Sequence, residues 1–371
     1  MFTIELTQQC NFRCTYCCYS GEYENNRKHN SLFLSDETLD KTIRFILNNR
    51  CPDLKTSICF YGGEALLAYE KLQLATKELA RQLGDDVGFS LSTNGYNLTP
   101  TVIGWICSFP DFEVNITIDG YKELHDTNRK TKDGRPTFDA ILNNLIYFKE
   151  HYPDQYSKRV NYLVTLKSWK QLPVASKMWQ ENPFLQDKTP RHLSFILPKN
   201  LYEMKHPTAT LQEKEEVLEL AYKGYTRGEK NLLVSTFIEW TNEISQGLQN
   251  IAKDDEIVTN TCLEDMYKTF ITAEGDIYLC ERINSKFPIG NVRAGVIDDE
   301  RLKELENIFL SQKNRMCSEC DAATYCTRCM LNLNYNDEEL FSICENERLT
   351  MALIKEYAWK RRMFDRKESI N

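Results

Sequence analysis

Three cysteines carry the first chemical signal: Cys10, Cys14 and Cys17, in the run Cys10-Asn11-Phe12-Arg13-Cys14-Thr15-Tyr16-Cys17. Thiolates spaced by two or three residues on a tight loop can each hold one iron of a 4Fe–4S cube. Three thiolates leave the fourth iron without a protein ligand, free to bind something else. Cys18 is adjacent to Cys17 and diverges from it, so it does not easily reach the same cube. A second group lies near the end of the chain: Cys262, Cys280, Cys317, Cys320, Cys326, Cys329 and Cys344. Seven thiolates at metal spacing suffice for two sites. Two zinc ribbons would want eight ligands and the tail contains no His, so iron–sulfur chemistry fits better. The isolated Cys51, Cys59 and Cys107 read as small buried hydrophobes.

The cysteine total of 14 in 371 residues is not that of a disulfide scaffold, because residues 108–261 contain none. Such thiol usage points to a reducing compartment. The N-terminus is no signal peptide, since Glu5 interrupts it, and no run of eighteen apolar residues could cross a membrane. A cytoplasmic location is expected. A net charge of −8 argues against nucleic acid as a partner.

The elements that must position these residues alternate. Strands are expected at 2–6, 56–61, 87–93, 113–118, 160–166 and 192–197. Helices are expected from Asp36 (capped by Ser35), after Glu64 to Leu83, and over 99–107, 137–151 and 172–181. Six strand–helix alternations with short connections predict an α/β fold, either a partial (βα)6 barrel or an open doubly wound sheet. Both place the active site at the C-terminal strand ends. Beyond residue 200 the pattern changes to helices over 211–223 and 237–248, a hairpin over 269–277 that ends at Cys280, and a long helix over 345–366. The basic end of that last helix reads as a solvated terminus favoured by the dipole. The expected division is a barrel over 1–200, a helical bridge over 201–255, a cysteine-rich domain over 256–346 and a terminal helix over 347–371.

With its aromatic at Tyr16, the first cysteine run resembles the signature of radical S-adenosylmethionine (SAM) enzymes. The fold that this resemblance implies is the partial (βα)6 barrel. It also implies a 4Fe–4S cluster on Cys10, Cys14 and Cys17 whose open iron chelates SAM, which is cleaved to a 5′-deoxyadenosyl radical. Gly62-Gly63-Glu64 after strand two looks like the family's methionine-binding motif, with Glu64 an anionic acceptor. Ser92 and Asn94 after strand three, Thr117 and Asp119 after strand four, Arg129, and Leu197 at the end of strand six stand where relatives contact SAM.

The tail resembles the SPASM domain, which carries two auxiliary 4Fe–4S clusters, making three in all. The resemblance assigns Cys317, Cys320, Cys326 and Cys344 to one, and Cys262, Cys280 and Cys329 to the other. The chain departs from the family in having two residues between Cys326 and Cys329 rather than three. It also has Glu256 where relatives carry an eighth cysteine.

This architecture implies a two-electron oxidation of a peptide. The first expectation is a maturase that crosslinks a ribosomally made precursor peptide through a thioether or carbon–carbon bond. The alternative is an anaerobic sulfatase-type maturase that forms formylglycine, and a third reading is a non-catalytic iron–sulfur redox sensor. Glu281, directly after Cys280, is the candidate base, expected to have a raised pKa. Against that stands a plain salt bridge with Arg282 or Arg293. A ferredoxin or flavodoxin would supply electrons. The chain opens directly at strand one, so leader recognition is expected from a separate protein or from the barrel surface.

Overall fold

The computed structural model describes residues 1–23, 26–196, 198–250, 268–283, 285–326 and 336–368. Cys262, Cys329, Leu197 and Glu256 lie outside the described residues. The chain forms two compact units, Met1–Leu163 with Cys262–Glu306, and Val164–Thr261 with Asn307–Asn371.

In the first unit β1 (Phe2–Thr7), α1 (Asp36–Asn49), β2 (Thr56–Gly62), α2 (Tyr69–Leu83), β3 (Val87–Thr93), α3 (Pro100–Cys107), β4 (Phe112–Thr117), α4 (Lys122–Asn128), α5 (Phe138–His151), α6 (Pro153–Arg159) and the start of β5 (Val160–Leu166) follow one another. Strands β1 to β5 pair in parallel, each with the next. Local signals explain the helix starts. Ser35 accepts the Thr38 N–H, and Thr99 caps α3 with Pro100 at its first position.

Alternation along the strands sorts the two faces. Phe60, Phe89 and Phe112 point outward and stack on one another, with ring centroids 6.1 and 5.8 Å apart along the row, under Trp105 and Phe109 of the α3 segment. The intervening residues Cys59, Ser90, Ser92, Glu113, Asn115, Thr117 and Asn161 are only half-buried and mostly polar. A fully apolar interior would close on itself. This polar face leaves the sheet's inner side able to receive polar molecules.

The hairpin differs from expectation in its place. β7 (Thr269–Ile271) pairs in parallel with β1, and β8 (Asp276–Tyr278), β9 (Gly290–Asn291) and β10 (Val296–Ile297) follow it outward. It therefore extends the same sheet instead of belonging to a separate cysteine-rich domain. The cause is a buried carboxylate. Glu5 on β1 accepts the Ala273 N–H and the Gln8 amide, both at 3.1 Å, which fixes the hairpin turn against the strand. Such a contact spans most of the chain and has no local sequence signature.

In the second unit the end of β5, α7 (Gln171–Glu181), β6 (His192–Phe195), α8 (Leu201–Lys205), α9 (Leu211–Thr226) and α10 (Leu232–Asn250) lead to the final helices. α11 (Asp299–Cys317), which begins in the first unit, was not expected: it buries only Leu305, so its apolar periodicity is faint. Asp298, which accepts the N–H groups of Glu300 and Arg301, is the one signal that could have revealed its start. α12 (Asp337–Glu368) starts well before the expected Glu345. A reciprocal cap explains this, since Asn336 accepts the Glu339 N–H while Glu339 accepts the Asn336 N–H, each at 3.0 Å. No described helix is long and apolar enough to cross a membrane.

Candidate functional site

The cysteine loop leaves the C-terminal end of β1 and is held from two sides. On one side the Gly63 and Glu64 N–H groups donate to the Thr7 and Gln9 carbonyls at 2.8 and 2.9 Å. This approach requires glycine. A Cβ on Gly62 or Gly63 would lie 2.3 Å from the Thr7 or Gln9 oxygen, and Gly62 has a φ of 142°. Gly63→Ala is therefore expected to cost about 3 kcal/mol, through backbone displacement. A urea-unfolding midpoint unchanged from wild type would refute this. On the other side, the Arg13 and Thr15 N–H groups donate to the Lys130 and Asn128 carbonyls, while Lys132 N–H donates to Asn11.

The three thiols share this loop. Phe12 N–H points at Cys10 Sγ (3.3 Å), Cys17 N–H donates to the Cys14 carbonyl, and Cys17 Sγ lies 3.4 Å from His29 Nε2. Burial pushes the Cys10 thiol up to about 12 and Cys14 up to about 11. The fit to a cluster is good on chemical grounds, because only a thiophilic metal would keep such thiols ionised. No three His, Cys, Asp or Glu side chains among the described residues close on a single ion position. A cube makes no such demand, since each thiolate binds a different iron.

The strand ends beside this loop carry the expected contact residues, and several are turned inward. Glu64 is buried; its Oε1 accepts the Thr93 hydroxyl (2.7 Å) and Leu66 N–H (3.0 Å), and its Oε2 accepts the Asn94 N–H (2.7 Å). A carboxylate has about four acceptor positions, so one remains for a ligand ammonium. Its first task is to brace the β3 turn. The Asn94 amide donates to Asn11 Oδ1 at 2.8 Å, joining that turn to the cysteine loop. Ser92 lies beside Cys59 on the polar face, and Thr117 ends β4 half-buried.

Arg129 is buried and donates to the Tyr16 hydroxyl at 2.7 Å, which in turn donates to Asp119 at 2.5 Å. Its Nε has no partner. Tyr16, the aromatic of the cysteine run, is thus the middle of a cation–phenol–carboxylate chain, a role that its sequence position did not disclose. His125 sits underneath. Asp119 N–H points at its Nδ1 (3.4 Å), and its Nε2 meets the Thr137 hydroxyl (3.2 Å). Acceptance at Nδ1 places the single proton on Nε2 and keeps the ring neutral.

Desolvation first, and the Arg129 charge second, lower the His125 pKa to about 3. The unfolded chain takes up a proton near pH 6.5, and the folded chain does so only near 3. Stability from this residue is therefore complete above about pH 6.5 and falls by about 1.4 kcal/mol for each pH unit below it. Urea unfolding at pH 7.5 and 5.5 should show this loss, and His125→Asn should show less of it. Equal losses in the two proteins would exclude His125 as the source.

Residues 4–168 match the Radical SAM superfamily. The chain contains a radical SAM domain. The family works with a 4Fe–4S cluster and SAM. The chain is homologous to anaerobic sulfatase maturases. It is 25% identical over 363 residues to a "Cysteine-type anaerobic sulfatase-maturating enzyme" of Clostridium perfringens, covering 91% of each. To a "Serine-type anaerobic sulfatase-maturating enzyme" of Bacteroides thetaiotaomicron it is 24% identical over 349 residues, covering 85% of this chain and 78% of the relative. The solved structure "Native anSMEcpe with bound AdoMet" superposes with a TM-score of 0.70 at 21% identity, over 100% of this chain and 99% of that one. It shares the fold.

Around the hairpin of this radical SAM chain, two features escaped sequence reasoning. Arg27, from the polar stretch after the cysteine loop, is buried with its guanidinium 4.5 Å from the Phe270 ring and near Tyr19 and Tyr278. It donates to the Glu281 carbonyl and lies 3.9 Å from Glu5. No periodicity marks it. Glu281 pairs at 2.7 Å with Lys268 rather than with Arg282 or Arg293. Burial raises its pKa, but Lys268 outweighs burial and the net direction is down. This corrects the expectation of a raised value: Glu281 is held ionised.

Of the tail thiols, Cys280 follows β8 in the first unit. In the second unit Cys317, Cys320 and Cys326 are close enough to act on one another electrostatically, with Cys320 N–H donating to the Cys317 carbonyl at 3.1 Å. Cys344 lies inside α12.

Proposed function

We propose that this radical SAM chain is a maturase that oxidises a side chain of a peptide or protein by two electrons, forming an aldehyde as an anaerobic sulfatase maturase does. End-to-end similarity to two such enzymes carries the reading, ahead of the crosslinking expected from sequence. "Native anSMEcpe with bound AdoMet and Cp18Cys peptide", a 23% identical relative of the same fold, supports a peptide as substrate class.

Cys10, Cys14 and Cys17 would hold the cluster, and Gly62, Gly63, Glu64, Ser92, Asn94, Thr117, Asp119, Arg129 and Leu197 would surround SAM. Bound together, cluster and SAM supply a 5′-deoxyadenosyl radical that takes one hydrogen atom from the substrate carbon. The remaining electron and proton must then leave. Cys317, Cys320, Cys326 and Cys344, with Cys262, Cys280 and Cys329, would hold two auxiliary clusters that accept the electron. Glu281 is already ionised by Lys268 and would accept the proton. A ferredoxin or flavodoxin would deliver the first electron, and a separate protein could present the peptide.

The test is anaerobic incubation of reconstituted protein with SAM, reductant and a Cys- or Ser-containing sulfatase-type peptide. An aldehyde trapped by a hydrazide, with 5′-deoxyadenosine released, is expected. Peptide that loses two hydrogens without an aldehyde would restore crosslinking. With Glu281→Gln, product formation should fall about 10²-fold while 5′-deoxyadenosine release falls little. Equal loss of both would make Glu281 structural.

A further inference from the structure

The inner face of α12 is fully engaged within its own unit. Leu340, Ile343, Met351, Ile354 and Tyr357 are buried, Tyr357 donates to Glu219 at 3.0 Å, and Arg361 donates to Thr241 and Asn242 at 2.7 and 2.8 Å. The opposite face of a surface helix is ordinarily polar. Here the exposed positions 341, 345, 349, 352, 356, 359 and 363 recur every three or four residues along one stripe. They hold Phe341, Leu349, Ala352, Trp359 and Met363, interrupted by Glu345 and Glu356. Phe341 is 61% exposed, Trp359 53%, Met363 49% and Leu349 39%. Large aromatic and Met side chains in line on an outer face are the composition of an interface.

The charges identify the occupant. The first turn of α12 carries Asp337, Glu338 and Glu339, and its last turn Arg366 and Lys367. Both suit the helix dipole, but the dipole does not call for the apolar stripe between them. We propose that two copies of this chain associate through α12, running antiparallel about a two-fold axis at Ala352. In that register Phe341 meets Met363 of the second copy, Arg348 meets Glu356, and Asp337 and Glu338 meet Lys367 and Arg366. Glu345 lands beside Trp359, whose ring Arg362 already covers at 5.8 Å. One patch satisfies itself, as a two-fold interface requires. At 1.5 Å per residue the seam is about 48 Å long, enough for many side-chain pairs. A parallel pairing would set acid on acid and base on base.

The full chain, reconstituted anaerobically, is examined by light scattering after size exclusion over a range of concentrations. The expected mass is twice 43.4 kDa at high concentration, and Trp359→Asp should weaken the dimer at least tenfold, about 1.4 kcal/mol. Because an apolar-to-acid change could disturb folding, two charge variants keep the test sharp. Asp337→Lys/Glu338→Lys has two basic ends, and Arg366→Glu/Lys367→Glu has two acidic ends. All four sites are exposed. Each variant alone should be largely monomeric, and an equimolar mixture should recover a heterodimer. Monomeric wild type at every concentration overturns the proposal. So does a dimer that either charge variant still forms alone, or a mixture that stays monomeric.

Discussion

Replacing Cys14 with Ala abolishes SAM cleavage and leaves the tail cysteines' iron in place. The argument is one of valence. Each thiolate of the loop holds one iron, and two remaining thiolates do not retain a cube whose fourth iron must stay open. The loop is braced by backbone hydrogen bonds to Lys130 and Asn128, not by the thiols themselves, so the fold should survive. The check has two readouts. Chromatography should show 5′-deoxyadenosine at the level of a protein-free control. Iron content should fall by the share of one cluster, not to zero. A variant that still releases 5′-deoxyadenosine would sink the assignment of Cys14.

Arg129→Met is expected to cost about 3–5 kcal/mol and to lose SAM cleavage as well. Arg129 is buried beside the Tyr16 hydroxyl, and its charge acts on Asp119 and Cys14 as well as on Tyr16. Removing the cation while leaving a fully buried carboxylate strands a negative charge in low dielectric. Arg129→Lys keeps the charge but not the planar fork, and should recover part of the stability. Circular dichroism against urea is the measurement. A Met variant as stable as wild type would show that the Tyr16–Asp119 pair does not depend on this cation.

The two predictions separate what was legible from what was not. Cys14 was identified from spacing alone, because cluster ligation is a local property of a loop. Arg129 was expected only as a partner for a ligand's carboxylate. Its contact with Tyr16 lies 113 residues away along the chain, set by where α4 ends against the β1 loop. Glu64 shows the same division. Its place after two glycines was readable, but its use in holding Thr93 and Asn94 follows from the parallel register of β2 with β3. Glu281 was found as a carboxylate next to a cysteine, and its ionisation was misjudged because Lys268 had no motif to mark it.

By itself the sequence determined the order and type of the barrel elements, the three-thiol loop, and the glycine pair that lets that loop approach the second strand. These depend on propensities, alternation and caps that act over a few residues. Only the tertiary structure decided that the hairpin pairs with β1, that Glu281 faces Lys268, and that Arg129, Tyr16 and Asp119 form one chain of contacts. Each of those rests on desolvated charges meeting across the sheet, and burial strengthens such pairings only after the strands have set their register.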